Sequence, residues 1–126
     1  MSRILVIDDD PFIRDVLFQS LSRAGHEITL AEDGDHGLSR FLSRFDDAPF
    51  DLVITDLIMP KKEGVETIAE LKKIAPDAKI IAISGGYRLP AENYLKIAST
   101  LGVNGTLIKP FEKAELLDEV QRVLAE

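Results

Sequence analysis

The chain has 126 residues, 45% hydrophobic and 29% charged, which is enough for one domain with a single buried core and too little for two. Its formal net charge of -7 argues against a general binder of nucleic acid or anionic membrane, since either needs a basic face. The lack of cysteine excludes disulfides, thiolate catalysis and cysteine-ligated zinc or iron–sulfur centres. Met1-Ser2-Arg3 is too short a lead for a signal peptide or a membrane span, so a cytoplasmic location is expected.

Ile4 to Ile7 is a continuous aliphatic run, the mark of a strand covered on both faces in a parallel sheet. It stops at Asp8-Asp9-Asp10, and Asp10 before Pro11 fits a helix cap followed by proline in the first helical position. Phe12, Ile13, Val16, Leu17 and Leu21 are expected to form one apolar face of that helix, which Gly25 ends. Glu27 to Ala31 reads as a second strand, and a helix from about Asp35 to Phe45 is expected to turn Leu38, Phe41, Leu42 and Phe45 inward. The third strand, Asp51 to Thr55, delivers Asp56 at its carboxyl end, where Leu57-Ile58-Met59-Pro60 stops the run and Lys61-Lys62-Glu63-Gly64 follows as polar loop. A helix over Val65 to Ile74 precedes a fourth strand, Lys79 to Ile83, and Ser84-Gly85-Gly86 opens a long loop through Pro90. A helix over about Ala91 to Leu101 ends at Gly102, Val103 to Ile108 is the fifth strand, and Lys113 to Leu124 is a closing amphipathic helix.

Five strands alternating with five helices describe an α/β domain, a doubly wound five-stranded parallel sheet of order 2-1-3-4-5. Right-handed crossovers put every strand's carboxyl end on the same edge. That edge collects Asp8 and Asp9, Asp56, Ser84 and Lys109. Carboxylates this close repel one another and burial pushes protons onto them, a conflict that a divalent cation removes. Oxygen-only donors favour Mg²⁺ or Mn²⁺. Such a site suits phosphoryl transfer, with Asp56 as the attacking oxygen that forms an acyl phosphate, Lys109 as a second positive charge and Ser84 as a hydrogen-bond donor to a phosphoryl oxygen.

Each piece alone has a plainer reading. Asp10 reads as a helix cap rather than a ligand, Asp8 and Asp9 alone as turn residues, Lys109 as a snorkelling strand-end lysine and Ser84-Gly85-Gly86 as a turn. His26 and His36 read as surface residues. The set is what carries the chemistry.

In that set the chain resembles the receiver domains of two-component response regulators, of the chemotaxis CheY type. The Asp8-Asp9 pair, Asp56 followed by Met59-Pro60 and Gly64, Ser84 before small residues, and Lys109-Pro110-Phe111 match the family's motifs in order, from about Arg3 to Leu124. The resemblance implies that Asp56 is the phosphoacceptor and, with Asp9, a direct Mg²⁺ ligand, while Asp8 acts partly through water and the backbone carbonyl of Ile58 is a further ligand. It implies Ser84 as the switch hydroxyl, Lys109 as the invariant lysine and a cis Lys109-Pro110 bond. It further implies that a sensor histidine kinase or histidine phosphotransfer protein donates the phosphoryl group and that Mg²⁺-dependent hydrolysis resets Asp56. Family members often carry Tyr or Phe three positions before the lysine; Thr106 stands there, so Ser84 is expected to carry the switch without an aromatic gate. The segment around Gly85 to Pro90 is longer than in many receivers.

Residues 1–126 are expected to form a single receiver domain without an output domain, a monomer acting on a downstream protein target through the 91–101 helix, the fifth strand and the closing helix. The same architecture also serves flavodoxin-type small-molecule binding modules, but those need a hydroxyl- and glycine-rich loop where Asp8-Asp9-Asp10 stands. Aspartyl-nucleophile phosphatases usually place nucleophile and general acid two residues apart after the first strand and cover the site with a separate cap; the sequence shows no cap, which ranks this reading a distant third.

Overall fold

The structure, a computed structural model, describes residues 2–57, 64–85, 93, 96 and 99–126. Five parallel strands, β1 (Arg3–Ile7), β2 (Glu27–Ala31), β3 (Leu52–Asp56), β4 (Ile80–Ser84) and β5 (Gly105–Ile108), form one sheet in the order β2-β1-β3-β4-β5. Among the described residues the helices are α1 (Pro11–Arg23), α2 (Gly34–Arg44), α3 (Gly64–Ile74) and the closing helix α4 (Lys113–Leu124). The helix expected over Ala91 to Leu101 lies mostly outside the described residues; Asn93, Lys96, Ser99 and Thr100 are described, and all four are helical.

The strands read as unbroken apolar runs because both faces are covered. Along β1, Ile4 and Val6 join the core under α1 and α4, where Leu17, Leu21, Leu116, Val120 and Val123 are buried. Leu5 and Ile7 point the other way, into the core under α2 and α3 with Phe41, Ile68 and Leu71. Each fully buried aliphatic side chain stabilises the fold by about 1.5–3 kcal/mol. Two such layers clamp the sheet and hold the carboxyl ends of its strands rigidly against one another.

Helix starts follow local chemistry. Asp10 caps α1, its Oδ1 accepting the Phe12 N–H at 2.9 Å, with Pro11 in the first helical position. Asp33 caps α2 by accepting the His36 N–H at 2.9 Å. At α4, Glu112 and Glu115 exchange hydrogen bonds between side chain and backbone in a capping box.

Two expected helix faces need correction. On α1, Leu17 and Leu21 are buried, but Phe12 is 70% exposed and Val16 is 37% exposed. At 100° per residue, Phe12 and Val16 form a row beside the Ile13, Leu17 and Leu21 row, and only the latter meets the sheet. On α2, Phe41 is buried and Leu38 packs against the core, whereas Leu42 and Phe45 are exposed. The strand boundaries also move: β3 includes Asp56 and β4 includes Ser84, so both site residues are held inside the sheet rather than in the turns after it. His36 is exposed as expected. His26 is half-buried instead, its Nδ1 accepting the Ser2 N–H at 3.3 Å.

Candidate functional site

The site forms at the carboxyl edge, where β1 and β3 lie side by side while their chain connections leave in opposite directions. Asp8 follows β1, Asp56 ends β3 opposite Ile83 of β4, and Lys109 follows β5. The period of two along each strand carries Asp8 in the row of Ile4 and Val6, and Asp56 in the row of Leu52 and Ile54. Both acids thus lie toward the α1 and α4 side.

Ligand oxygens of Asp8, Asp9 and Asp56 all fall within 4.8 Å of one another. Asp8 is fully buried and Asp56 is 6% exposed, while Asp9 is exposed and faces the opening. Lys109 Nζ donates to Asp56 Oδ2 at 2.8 Å and stands 3.3 Å from Asp8 Oδ2. The second contact is an ion pair outside hydrogen-bond alignment, so Asp8 Oδ2 is a buried oxygen accepting no hydrogen bond among the described residues. Burial pushes the Asp8 carboxyl up from its ordinary 3.8 to about 6, the Asp56 charge adds to that rise, and the Asp10 N–H and the Lys109 charge oppose it. Burial works against the Lys109 ammonium, but the hydrogen bond and charge of Asp56, with Asp8 behind it, outweigh burial and raise its pKa.

The main chain around the acids is tied down at close quarters. Asp8 N donates to Ala31 O at 3.1 Å, and Asp8 Oδ1 accepts the Asp10 N–H at 2.9 Å. Leu57 N donates to Ile83 O at 3.0 Å, and Thr55 Oγ1 to the Asp56 carbonyl at 3.0 Å. Gly64 opens α3 directly over the β3 end, where a Cβ would meet the Asp56 carbonyl oxygen and come within 2.6 Å of Leu57 Cα. Glycine is needed there for close approach of two backbones.

Ser84 sits one strand over and is fully buried, its hydroxyl without a hydrogen-bond partner among the described residues. Its carbonyl accepts the Lys109 N–H at 2.7 Å, which links the hydroxyl-bearing residue to the lysine through the backbone. The Lys109-Pro110 peptide is cis. Thr106 stands apart from the acids: its N–H, on the free edge of β5, donates to Glu119 Oε2 at 3.0 Å. Ile58, Met59-Pro60, Lys61-Lys62, the Gly86 to Pro90 loop and Tyr94 lie outside the described residues.

Two groups escaped the sequence reading. Arg14 of α1 donates from Nη1 to the Asp8 carbonyl at 2.7 Å. A charge six residues after Asp8, on an amphipathic helix, gave no periodic signal of this. Glu32, Asp33 and His36 form a second cluster whose ligand atoms lie within 4.8 Å, beside a cleft of about 280 Å³ that Arg14 and Arg40 also line. Asp33 is accounted for as the α2 cap, and Glu32 by its contact with His36, Oε1 to Nδ1 at 3.1 Å.

The chemistry available at the main site is that of an oxygen-donor cation centre beside a fixed ammonium. Among the described residues the donor set fits a hard divalent cation: three carboxylates, no sulfur or nitrogen ligand, and one buried carboxylate oxygen, Asp8 Oδ2, lacking a hydrogen bond.

Residues 4–121 match the response regulator receiver domain family. The chain is 40% identical to the DNA-binding transcriptional regulator NtrC of Azospirillum brasilense, over 96% of this chain and 24% of that protein. It spans 24% of the length of each of the three NtrC relatives it matches. It is 32% identical to the response regulator receiver protein CpdR of Brucella abortus over 98% of both chains. In three dimensions it is similar to the response regulator TrrA of Thermotoga maritima, solved in complex with Mg²⁺-BeF: the TM-score is 0.80 at 34% identity, over 98% of this chain and 99% of that one.

Proposed function

The chain belongs to the response regulator receiver domain family, and on that premise we propose that it is a signalling switch whose phosphoryl acceptor is Asp56. The observation that carries this reading is the convergence of Asp8, Asp9 and Asp56 within 4.8 Å, with Lys109 Nζ at 2.8 Å from Asp56 Oδ2.

Mg²⁺ or Mn²⁺ would be held by Asp8, Asp9 and Asp56 with the Ile58 carbonyl, and when bound would offset carboxylate repulsion and neutralise phosphoryl oxygens. The Mg²⁺-BeF complex of TrrA supports that assignment by likeness. Asp56 Oδ attacks the phosphorus of a phosphohistidine on a histidine kinase or phosphotransfer protein. The donor's phosphorus–nitrogen bond breaks as the acyl phosphate forms, and Lys109 pairs with the new phosphoryl charge. Attack by water later returns phosphate and free Asp56, so the chain serves as a resettable switch rather than an enzyme acting on other molecules.

Ser84 supplies the differential contact. A buried hydroxyl without a partner among the described residues gains one if it turns toward a phosphoryl oxygen, and that gain favours whichever backbone arrangement allows it. The response is read by a downstream protein target on the face made by residues near 91–101, β5 and α4. Thr106 leaves that face without an aromatic gate. Substitution of exposed Lys96 is expected to weaken partner binding without changing phosphorylation.

The test is intact mass after incubation with acetyl phosphate and Mg²⁺, beside Asp56→Asn and EDTA controls. A metal-dependent gain of one phosphoryl group, absent from both controls, is expected; site-specific labelling retained in Asp56→Asn refutes the acceptor. If acetyl phosphate does not react, beryllofluoride with Mg²⁺ must still perturb the amides near Ser84 and Lys109, and silence there refutes the site.

A further inference from the structure

Asp8 is held at three points. Its N–H goes to Ala31 O, its Oδ1 accepts the Asp10 N–H, and its carbonyl accepts Arg14 Nη1 at 2.7 Å. Among the described residues Oδ2 alone accepts no hydrogen bond, and it stands 3.3 Å from Lys109 Nζ in the cluster with Asp56. The Asp8 carbonyl and the Asp9 N–H belong to one rigid peptide plane, so whatever fixes that carbonyl orients the chain into both acids at once. Arg14 is half-buried on α1 and reaches across to this plane with a planar, always-charged donor fork.

We propose that Arg14 is a positioning residue for the acidic centre: by holding the Asp8 carbonyl it fixes the Asp8-Asp9 peptide and aims both carboxylates at the point they share with Asp56. This rests on the reading of that centre as a divalent-cation site. The Ala31 bond fixes only the start of Asp8, and the Asp10 bond lies on the side chain. Without Arg14 the linking peptide loses the one hydrogen bond to its carbonyl seen among the described residues and can rotate. The two acids then sample orientations in which their oxygens no longer converge.

A positioning role and a mere charge predict opposite signs. As a charge alone, Arg14 repels a nearby cation, and a neutral replacement would tighten binding. As a positioning group, its loss costs affinity, in the range of about 10- to 100-fold found when outer partners of metal ligands are removed.

The experiment follows Mg²⁺ titrations of wild type, Arg14→Met and Arg14→Lys by amide NMR, together with exchange of the Asp10 amide in metal-free protein. Exchange of β3 core amides serves as the control for an intact fold. We expect the Mg²⁺ dissociation constant of Arg14→Met to rise about tenfold or more, with faster Asp10 exchange. Arg14→Lys keeps a donor for the carbonyl and is expected to recover most of both losses. Unchanged or tighter Mg²⁺ binding in Arg14→Met overturns the proposal. If Arg14→Met does not fold, Arg14→Ala decides: it is neutral and has no donor for the Asp8 carbonyl, so a charge-only role requires tighter Mg²⁺ binding than wild type, whereas the positioning role requires weaker binding. A wild type that binds no Mg²⁺ refutes the cation reading instead, and the Asp10 amide then judges Arg14, with unchanged exchange in Arg14→Met counting against it.

Discussion

Replacing Asp8 by Asn should stabilise the metal-free protein at neutral pH, at the expense of one carboxylate of the proposed cation site. Asp8 is fully buried and its carboxyl is raised from 3.8 to about 6, first by burial and then by the Asp56 charge. The raised value means that the folded state holds the Asp8 proton more tightly than the unfolded chain does. Asp8 therefore costs nothing well below pH 3.8, and its cost grows as pH rises through 3.8 toward the folded value of about 6. The full penalty is about 3 kcal/mol at 1.36 kcal/mol per pKa unit. Linkage makes it a small part of that at pH 4, roughly half at pH 5 and nearly all of it at pH 7. Asn fits the same space, its Oδ1 still accepts the Asp10 N–H, and it carries no charge to desolvate. It also removes an ion-pair partner of Lys109, so about 3 kcal/mol is an upper bound at neutral pH. Urea unfolding in EDTA, followed by far-ultraviolet circular dichroism from pH 4 to 8, measures the difference directly. The advantage of Asp8→Asn should grow with pH and level off above about pH 7. Saturating Mg²⁺ should stabilise wild type and shrink the gap, because a ligand that binds only the folded state stabilises by mass action. A pH-independent difference, or an Asp8→Asn variant less stable than wild type at pH 7, would refute the view that buried charge conflict holds this site in tension.

Gly64→Ala forces a methyl against the Asp56 carbonyl and Leu57 Cα, a backbone clash that should cost about 2–3 kcal/mol and lower the urea midpoint; an unchanged midpoint would mean that α3 shifts freely. Glu119→Ala removes the acceptor of the Thr106 N–H and the Arg122 ion pair, for an expected loss of about 1 kcal/mol and faster exchange of the Thr106 amide. The Arg122 hydrogen bond holds the Glu119 pKa below its ordinary value, so this contribution is present above about pH 4.5 and lost as pH falls through the lower folded value. Leu17→Ala should cost about 2–5 kcal/mol, and Phe12→Ala less than about 0.5, because one side chain is buried and the other is 70% exposed. Equal costs at the two positions would overturn the corrected α1 face.

Much of the site was legible because its members stand at strand ends. An aliphatic run that stops at a carboxylate marks both a buried strand and the edge where it emerges, so Asp8, Asp56 and Lys109 could be placed on one edge from the alternation of strands and helices. Short-range capping was equally plain, as Asp10-Pro11 shows, since the cap and the residues it serves are neighbours in the chain. What one helix packs against is not local. Phe12, Val16, Leu42 and Phe45 lie at helical spacings that suit an apolar face, yet the sheet meets the adjacent row on each helix.

The amino-acid sequence by itself determined the α/β order, the edge that carries the site and the residue types gathered there, because period, turn chemistry and crossover handedness depend on the chain's own pattern. Only the tertiary structure decided how those residues meet. It put Lys109 Nζ on Asp56 Oδ2, left Asp8 Oδ2 and the Ser84 hydroxyl buried without a hydrogen bond among the described residues, and brought Arg14 onto the Asp8 carbonyl. Distances, burial and the resulting rise of the Asp8 pKa arise from strands 48 residues apart packed under shared helices, and no local pattern encodes them.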